Sequence, residues 1–119
     1  MLQINTFTTE ISIKEGVCLV KIGGYLSHGL SEKLLPMIEQ QLAAGIKNFV
    51  VDLSKAEMIE SPAVACILSM TEKIVEDSDG NLVFTGLSEL HRKILEMVGI
   101  FLYASHFNDL EQAIQECKA

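Results

Sequence analysis

The chain opens with two short segments rich in β-branched and aliphatic residues, "TTEISI" and "VCLVKI", on either side of "KEG". Such segments suit a pleated, half-buried surface, and Gly16 supplies a turn position, so the pattern predicts a β-hairpin. "GGYLSHG" then breaks the pattern and predicts a loop. From Leu30 the period changes. Leu30, Leu34, Leu35, Ile38 and Leu42 recur at helical spacing, with Glu32, Lys33, Glu39 and Gln40 on the other side. Gly45 stands where a helix end favours a left-handed residue. Pro36, inside this segment, removes one backbone hydrogen bond and predicts a kink or a detached first turn.

"IKNFVVDLS" is a nearly continuous apolar run, as in a central strand. A helix start follows at Pro62, whose missing N–H would be unpaired there in any case. Val64, Ile67, Leu68, Thr71, Ile74 and Val75 form its buried stripe, and "DSDGN" ends it. "NLVFTG" is another strand. Ser88 is placed to cap a third helix, with Leu90, Ile94, Leu95 and Val98 as its apolar face and Gly99 as its end. "IFLYA" reads as a short strand. Asn108 and Glu111 have capping-box spacing for a last helix through Ala113 and Ile114. The order is β-β-α-β-α-β-α-β-α. Alternation after a hairpin predicts an α/β fold: a mixed sheet with helices packed on it, its parallel strands joined by right-handed crossovers. With no repeat, low-complexity tract or linker, residues 1–119 read as one domain.

Composition narrows the function. Of 119 residues, 49% are hydrophobic and 21% charged, which is globular composition. Trp is absent, so the core must be mostly aliphatic. A net charge of −7 repels phosphate backbones and anionic membranes, and leaves a protein partner as the better expectation. Cys18, Cys66 and Cys117 lie far apart with no paired-ligand spacing, so zinc is not expected and free thiols in a reducing compartment are. "MLQINTFTTE" has neither the basic start nor the apolar core of a secretory signal, and no apolar run approaches the ~20 residues of a membrane span. A cytoplasmic location is expected, with no metal and no cofactor. "KIGGYLSHG" lacks the spacing of a phosphate loop.

The chemistry centres on "MIESPAVACILS". Ser61 reads as an N-cap with Pro62 at the first helical position, worth about 1 kcal/mol. It also reads as a phosphorylation site. A phosphate would sit against the positive helix end, although Glu60 beside it opposes a second anion. Catalysis is not expected, because His28, His91 and His106 are scattered and no base is paired with the serine by any motif. Ala63, Cys66 and Met70 form a second stripe on this helix. Small and soft, they read as a partly covered core edge or as a partner groove. Asp52, at a strand end, is placed to order the turn that precedes Glu60.

Taken together, these segments resemble the STAS domain, the fold of bacterial anti-sigma factor antagonists. "VCLVKIGGYLS" is similar to the family's second strand and following loop. "GIKNFVVDLSKAEMIESPAVACIL" is similar to its central strand, turn and second helix. "LHRKILEMVGI" and "FNDLEQAI" are similar to its last two helices. The resemblance covers nearly the whole chain. It implies partner switching: an unphosphorylated antagonist binds an anti-sigma factor that is also a serine kinase, and phosphorylation at the start of the second helix ends the contact. It also implies a bland alternative, a constitutive accessory subunit of a transport ATPase, of the lipid-transporter type.

The departures are specific. Pro62 occupies the place of the family's usual phosphoacceptor serine, and proline has no hydroxyl. Glu60 stands for an Asp, Ser61 for the first serine, Ser27 for a loop Asp and Tyr25 for a loop Glu. The resemblance thus implies a non-enzymatic regulator. Its partner-binding surface would comprise Tyr25, Leu26, Ser27, His28, Glu60, Ser61, Pro62, Ala63, Cys66 and Met70, with Ser61 as the one phosphorylation candidate.

Overall fold

The computed structural model describes residues 6–118. Phe7–Lys14 (β1) and Val17–Leu26 (β2) form the expected hairpin. Lys14 pairs with Val17, so Glu15 and Gly16 are the whole turn. Their φ angles are 54° and 80°. Two successive left-handed residues twist a turn in the sense that matches the strands. Next come α1 (Leu30–Ala43), β3 (Asn48–Asp52), β4 (Ala56–Ile59), α2 (Ser61–Thr71) and β5 (Asn81–Thr85). The chain continues with α3 (Glu89–Met97), β6 (Ser105–Phe107) and α4 (Leu110–Lys118).

The sheet runs β1-β2-β3-β5-β6, with β4 alongside β2. Among the described residues only the hairpin is antiparallel. This is the mixed α/β sheet that the alternation predicts. Helices α1, α2 and α3 bury one face of it around Cys18, Val20, Phe49, Val51 and Phe84. Helix α4 covers part of the other, over Val17, Leu19, Val50 and Val83. Burial on both faces explains why β3 reads as a continuous apolar run. Helix α1 ends as expected. The Gly45 N–H donates to Leu42 O at 3.0 Å and Ile46 N–H to Gln41 O at 3.0 Å, with Gly45 at φ 94°.

Several expectations are corrected. "GGYLSHG" is not all loop, because β2 runs on to Leu26. A Cβ on Gly24 would lie 2.5 Å from Thr6 O, and one on Gly23 would lie 2.9 Å from Lys55 Cβ. Close neighbours, not a loop, call for both glycines: the Thr6 backbone at Gly24 and the Lys55 and Thr8 side chains at Gly23. Helix α1 is continuous through Pro36. Pro36 and Glu32 are both exposed, so water can serve the carbonyl that proline leaves free. Strand β4 was not foreseen.

"IFLYA" is not a strand. Gly99, at φ 85°, turns the chain into a single 3₁₀ turn, Ile100–Leu102, and the strand comes later as β6. The cap of α4 is Asp109 rather than Asn108, its Oδ2 accepting from Gln112 N–H at 3.1 Å. Ser88 does cap α3, accepting from His91 N–H at 3.1 Å. Yet α3 turns His91 and Leu95 inward and leaves Leu90 and Val98 exposed.

All three thiols are free and buried. Burial pushes Cys18 and Cys117 up to about 11. Because the thiolate is the reactive form, native protein at pH 8 should not react with a disulfide reagent, while urea-unfolded protein should titrate three thiols. Gly24→Ala should cost about 1–3 kcal/mol in urea denaturation through strain and the Thr6 contact. Gly16→Ala, in open space, should cost less.

Candidate functional site

The site is built where β2 ends and α2 begins. Past Lys21, where its β3 pairing ends, β2 pairs with β4: Gly24 with Ala56, then, across a bulge that skips Glu57, Tyr25 with Met58 and Leu26 with Ile59. The next amide, Glu60 N–H, donates to Leu26 O at 2.9 Å. These bonds fix the loop after β2 beside the entrance of α2. Across the junction the Tyr25 hydroxyl donates to Glu60 Oε2 at 2.6 Å. That bond raises the Tyr25 phenol above its ordinary pKa, helped by partial desolvation and by the carboxylate charge. Ionising it would set phenolate against carboxylate.

Glu60, not Ser61, is the N-cap of α2. Its backbone is extended (φ −89°, ψ 166°) and its carbonyl accepts from Ala63 and Val64 N–H at 2.9 and 3.0 Å. Its carboxylate is turned to Tyr25 instead of to the free amides. Ser61 is therefore already helical, with Pro62 after it, and both are exposed. The Ser61 hydroxyl makes no hydrogen bond among the described residues, so the capping role expected of it is not filled. Asp52 does order its turn, accepting from Ser54 N–H at 2.9 Å.

The expected contact surface divides. Tyr25, Ser27 and Glu60 are half-buried, and His28, Ser61 and Pro62 are exposed. Leu26, Ala63, Cys66 and Met70 belong to the core, with exposures of 0%, 0%, 1% and 0%. As placed here they cannot touch a partner. The cause is phase: residues 63, 66, 67 and 70 lie on the side of α2 that meets the sheet. The outer side carries Ser61, Val64, Ala65 and Leu68. With Ile94, Met97 and Val98 of α3 they line an apolar groove of about 420 Å³. Helix α2 has no charged residue along its 11 positions.

Sequence reasoning missed this groove because it assigned α3 a single inward face. The helix has two apolar stripes, His91 with Leu95, and Leu90 with Ile94, Met97 and Val98. Two stripes at helical spacing on one short helix are the signal that was available.

Other chemistry does not converge. The histidines sit in separate places: His28 after β2, His91 buried in α3, and His106 in β6 against the Phe101 ring at 4.7 Å. Among the described residues no group of three His, Cys, Asp or Glu is placed to hold a metal, and no helix is long and apolar enough to cross a membrane. A recess of about 520 Å³ is lined by Glu10, Lys21, Asp52 and Lys55 among others, mixing both charge signs.

Comparison with known proteins agrees with this architecture. The STAS domain family model matches residues 8–113. The chain belongs to the STAS domain family. Among solved structures it is similar to an anti-sigma factor antagonist from Mycobacterium paratuberculosis, at 19% identity and TM-score 0.81, with 96% of each chain covered. The Bacillus cell fate determinant SpoIIAA in its phosphorylated form matches at 18% identity and TM-score 0.71, over 93% of this chain and 98% of that one. A chain from the molecular architecture of the stressosome, a signal integration and transduction hub, matches at 20% identity and TM-score 0.66, over 92% and 96%. At these identities the likeness establishes the fold.

The Tyr25–Glu60 bond has a spectroscopic consequence. A phenol with a raised folded pKa keeps its proton longer in the folded than in the unfolded chain. The bond's contribution to stability is complete below pH about 10, and is lost as pH rises through the raised value. In a Tyr103→Phe background, tyrosinate absorbance should report Tyr25 alone. Its midpoint should lie above the ordinary phenol value and fall back when Glu60→Gln is added.

Proposed function

We propose that this chain is a non-enzymatic, single-domain protein-binding regulator, working by partner switching in the manner of an anti-sigma factor antagonist. Its partner would be an anti-sigma factor with serine-kinase activity. Contact would be made by Tyr25, Ser27 and His28 of the loop and by Glu60, Ser61 and Pro62 of the helix entrance. One observation carries the reading. The exposed Ser61–Pro62 step is held against the end of β2 by Glu60, through Tyr25 and through Leu26 O. Ser61 presents an exposed hydroxyl at a helix start, the kind of position where added phosphate changes a contact surface by charge and bulk. The cytoplasm is the matching compartment.

The second reading is constitutive: an accessory subunit of a transport ATPase. Pro62 favours it, because the residue in the usual phosphoacceptor place has no hydroxyl to modify.

Isolation of the protein with its bound partners from its own cells separates the two by mass spectrometry. A histidine-kinase-like ATPase with phosphate found on Ser61 supports switching. A transport ATPase with unmodified Ser61 supports the constitutive subunit. With either partner, Glu60→Lys should weaken binding roughly tenfold or more, as loss of a central contact does. Unchanged affinity would remove the helix entrance from the interface. Ser61→Asp should release a switching partner while Ser61→Ala retains it.

A further inference from the structure

We infer that the groove between α2 and α3 is a docking site for an amphipathic partner helix of about three turns, basic at one end. The inference rests on the preceding reading only where the two surfaces meet, at Ser61. The groove is apolar along Val64, Ala65 and Leu68 on one wall and Ile94, Met97 and Val98 on the other. Met97 is 85% exposed and Val98 41%. Apolar side chains left in water beside an uncharged helix form a contiguous patch of the kind that marks an interaction surface. Two helices with a furrow between them accept a third, whose residues at i, i+4 and i+7 fill the seam.

Charge selects the occupant. Ser61, Ala65, Leu68 and Glu72 follow one another at helical spacing over roughly 16 Å, at 1.5 Å per residue. The seam therefore runs from a small, neutral end at Ser61 to a carboxylate at Glu72. Glu72 and Glu76 are exposed, and neither is in an ion pair among the described residues. The nearby Lys73 is already bound to Glu39 at 2.8 Å, on the side of α1. On α3 the charges cancel: Glu89 and Glu96 pair with Arg92, and Glu89 also with Lys93. The groove lining itself is uncharged, and the unmatched charge along the line of its α2 wall is Glu72, one turn beyond Leu68. A lysine or arginine there gains an ion pair, and an acid is repelled. A second copy of this chain is the competing occupant, and self-association of the protein alone reveals it. At the Ser61 end the small side chains of Ser61 and Ala65 let a helix backbone approach closely. Bulk added there closes the seam.

The test uses the full chain and two synthetic helical peptides of about 11 residues. Both carry leucines at i, i+4 and i+7. One ends in two lysines and the other in two glutamates. Affinities come from NMR titration and calorimetry, and sedimentation is measured on the protein alone. The lysine peptide should bind saturably, shifting resonances of residues 61–72 and 94–98, roughly tenfold tighter than the glutamate peptide. Ala65→Gln and Met97→Ser, both at exposed positions, should each weaken it several-fold, and Glu72→Gln should narrow the gap between the peptides. Equal affinities, shifts elsewhere, indifference to both groove variants, or self-association through 61–72 would each overturn the inference. A native partner that depends on Glu60 while the groove stays silent would defeat this inference and leave the proposed function standing.

Discussion

Strand β2 is shared among three other strands, and the rest of the structure follows from that. Its ten residues pair with β1 along most of their length, with β3 at one end and with β4 at the other. β3 pairs with it only as far as Lys21, and β4 takes over from Gly24. Between Gly24 and Tyr25 the β4 pairing skips Glu57, a bulge on the β4 side. Gly24 itself must be glycine, because its φ is 84° and Thr6 O leaves no space for a Cβ. The reward is positional. The end of β2 holds Tyr25 over Glu60 and offers Leu26 O to the first amide of the α2 entrance.

Helix α2 is then pinned on two sides. Its inner residues, from Ala63 to Met70, join the core with Leu34, Ile38 and Phe84. Its entrance is tied to β2 by one backbone bond and one phenol–carboxylate bond. A helix fixed so firmly does not need its outer side for stability. That side is uncharged and partly apolar, against the ordinary rule that an outer helix face is polar. The departure falls beside Ser61 and Pro62. Local rules are expected to give way at functional surfaces, and the two surfaces assigned to partners here are neighbours for this reason.

Much of this was legible in the sequence. The hairpin, the ends of α1, the cap of α3 and the buried strands follow from period, glycine placement and side-chain chemistry at single positions. What was not legible depends on contacts between distant segments. The glycines at 23 and 24 look like loop residues until Lys55 and Thr6 come beside them. Ser61 is the better N-cap by residue type, yet the register of β4 places the cap one residue earlier, at Glu60. Ala63, Cys66 and Met70 looked peripheral because they are small or soft, and the stripe beside them looked larger. The sheet selected them for the inside, and with that the outer side of α2 fell to Val64, Ala65 and Leu68. The second stripe on α3 was visible in its spacing, but nothing in the chain said which of the two faces inward.

The central claim is that one continuous surface, from the loop after β2 across the entrance of α2 and along its outer side, meets the partner protein. Amide hydrogen exchange on the complex isolated from its own cells tests this most directly. The account predicts slowed exchange in residues 25–28 and 60–68 and in the C-terminal half of α3, with α4 unchanged. Protection confined to α4 or to the outer edge of β1, with the α2 entrance exchanging as in the unbound protein, would contradict it.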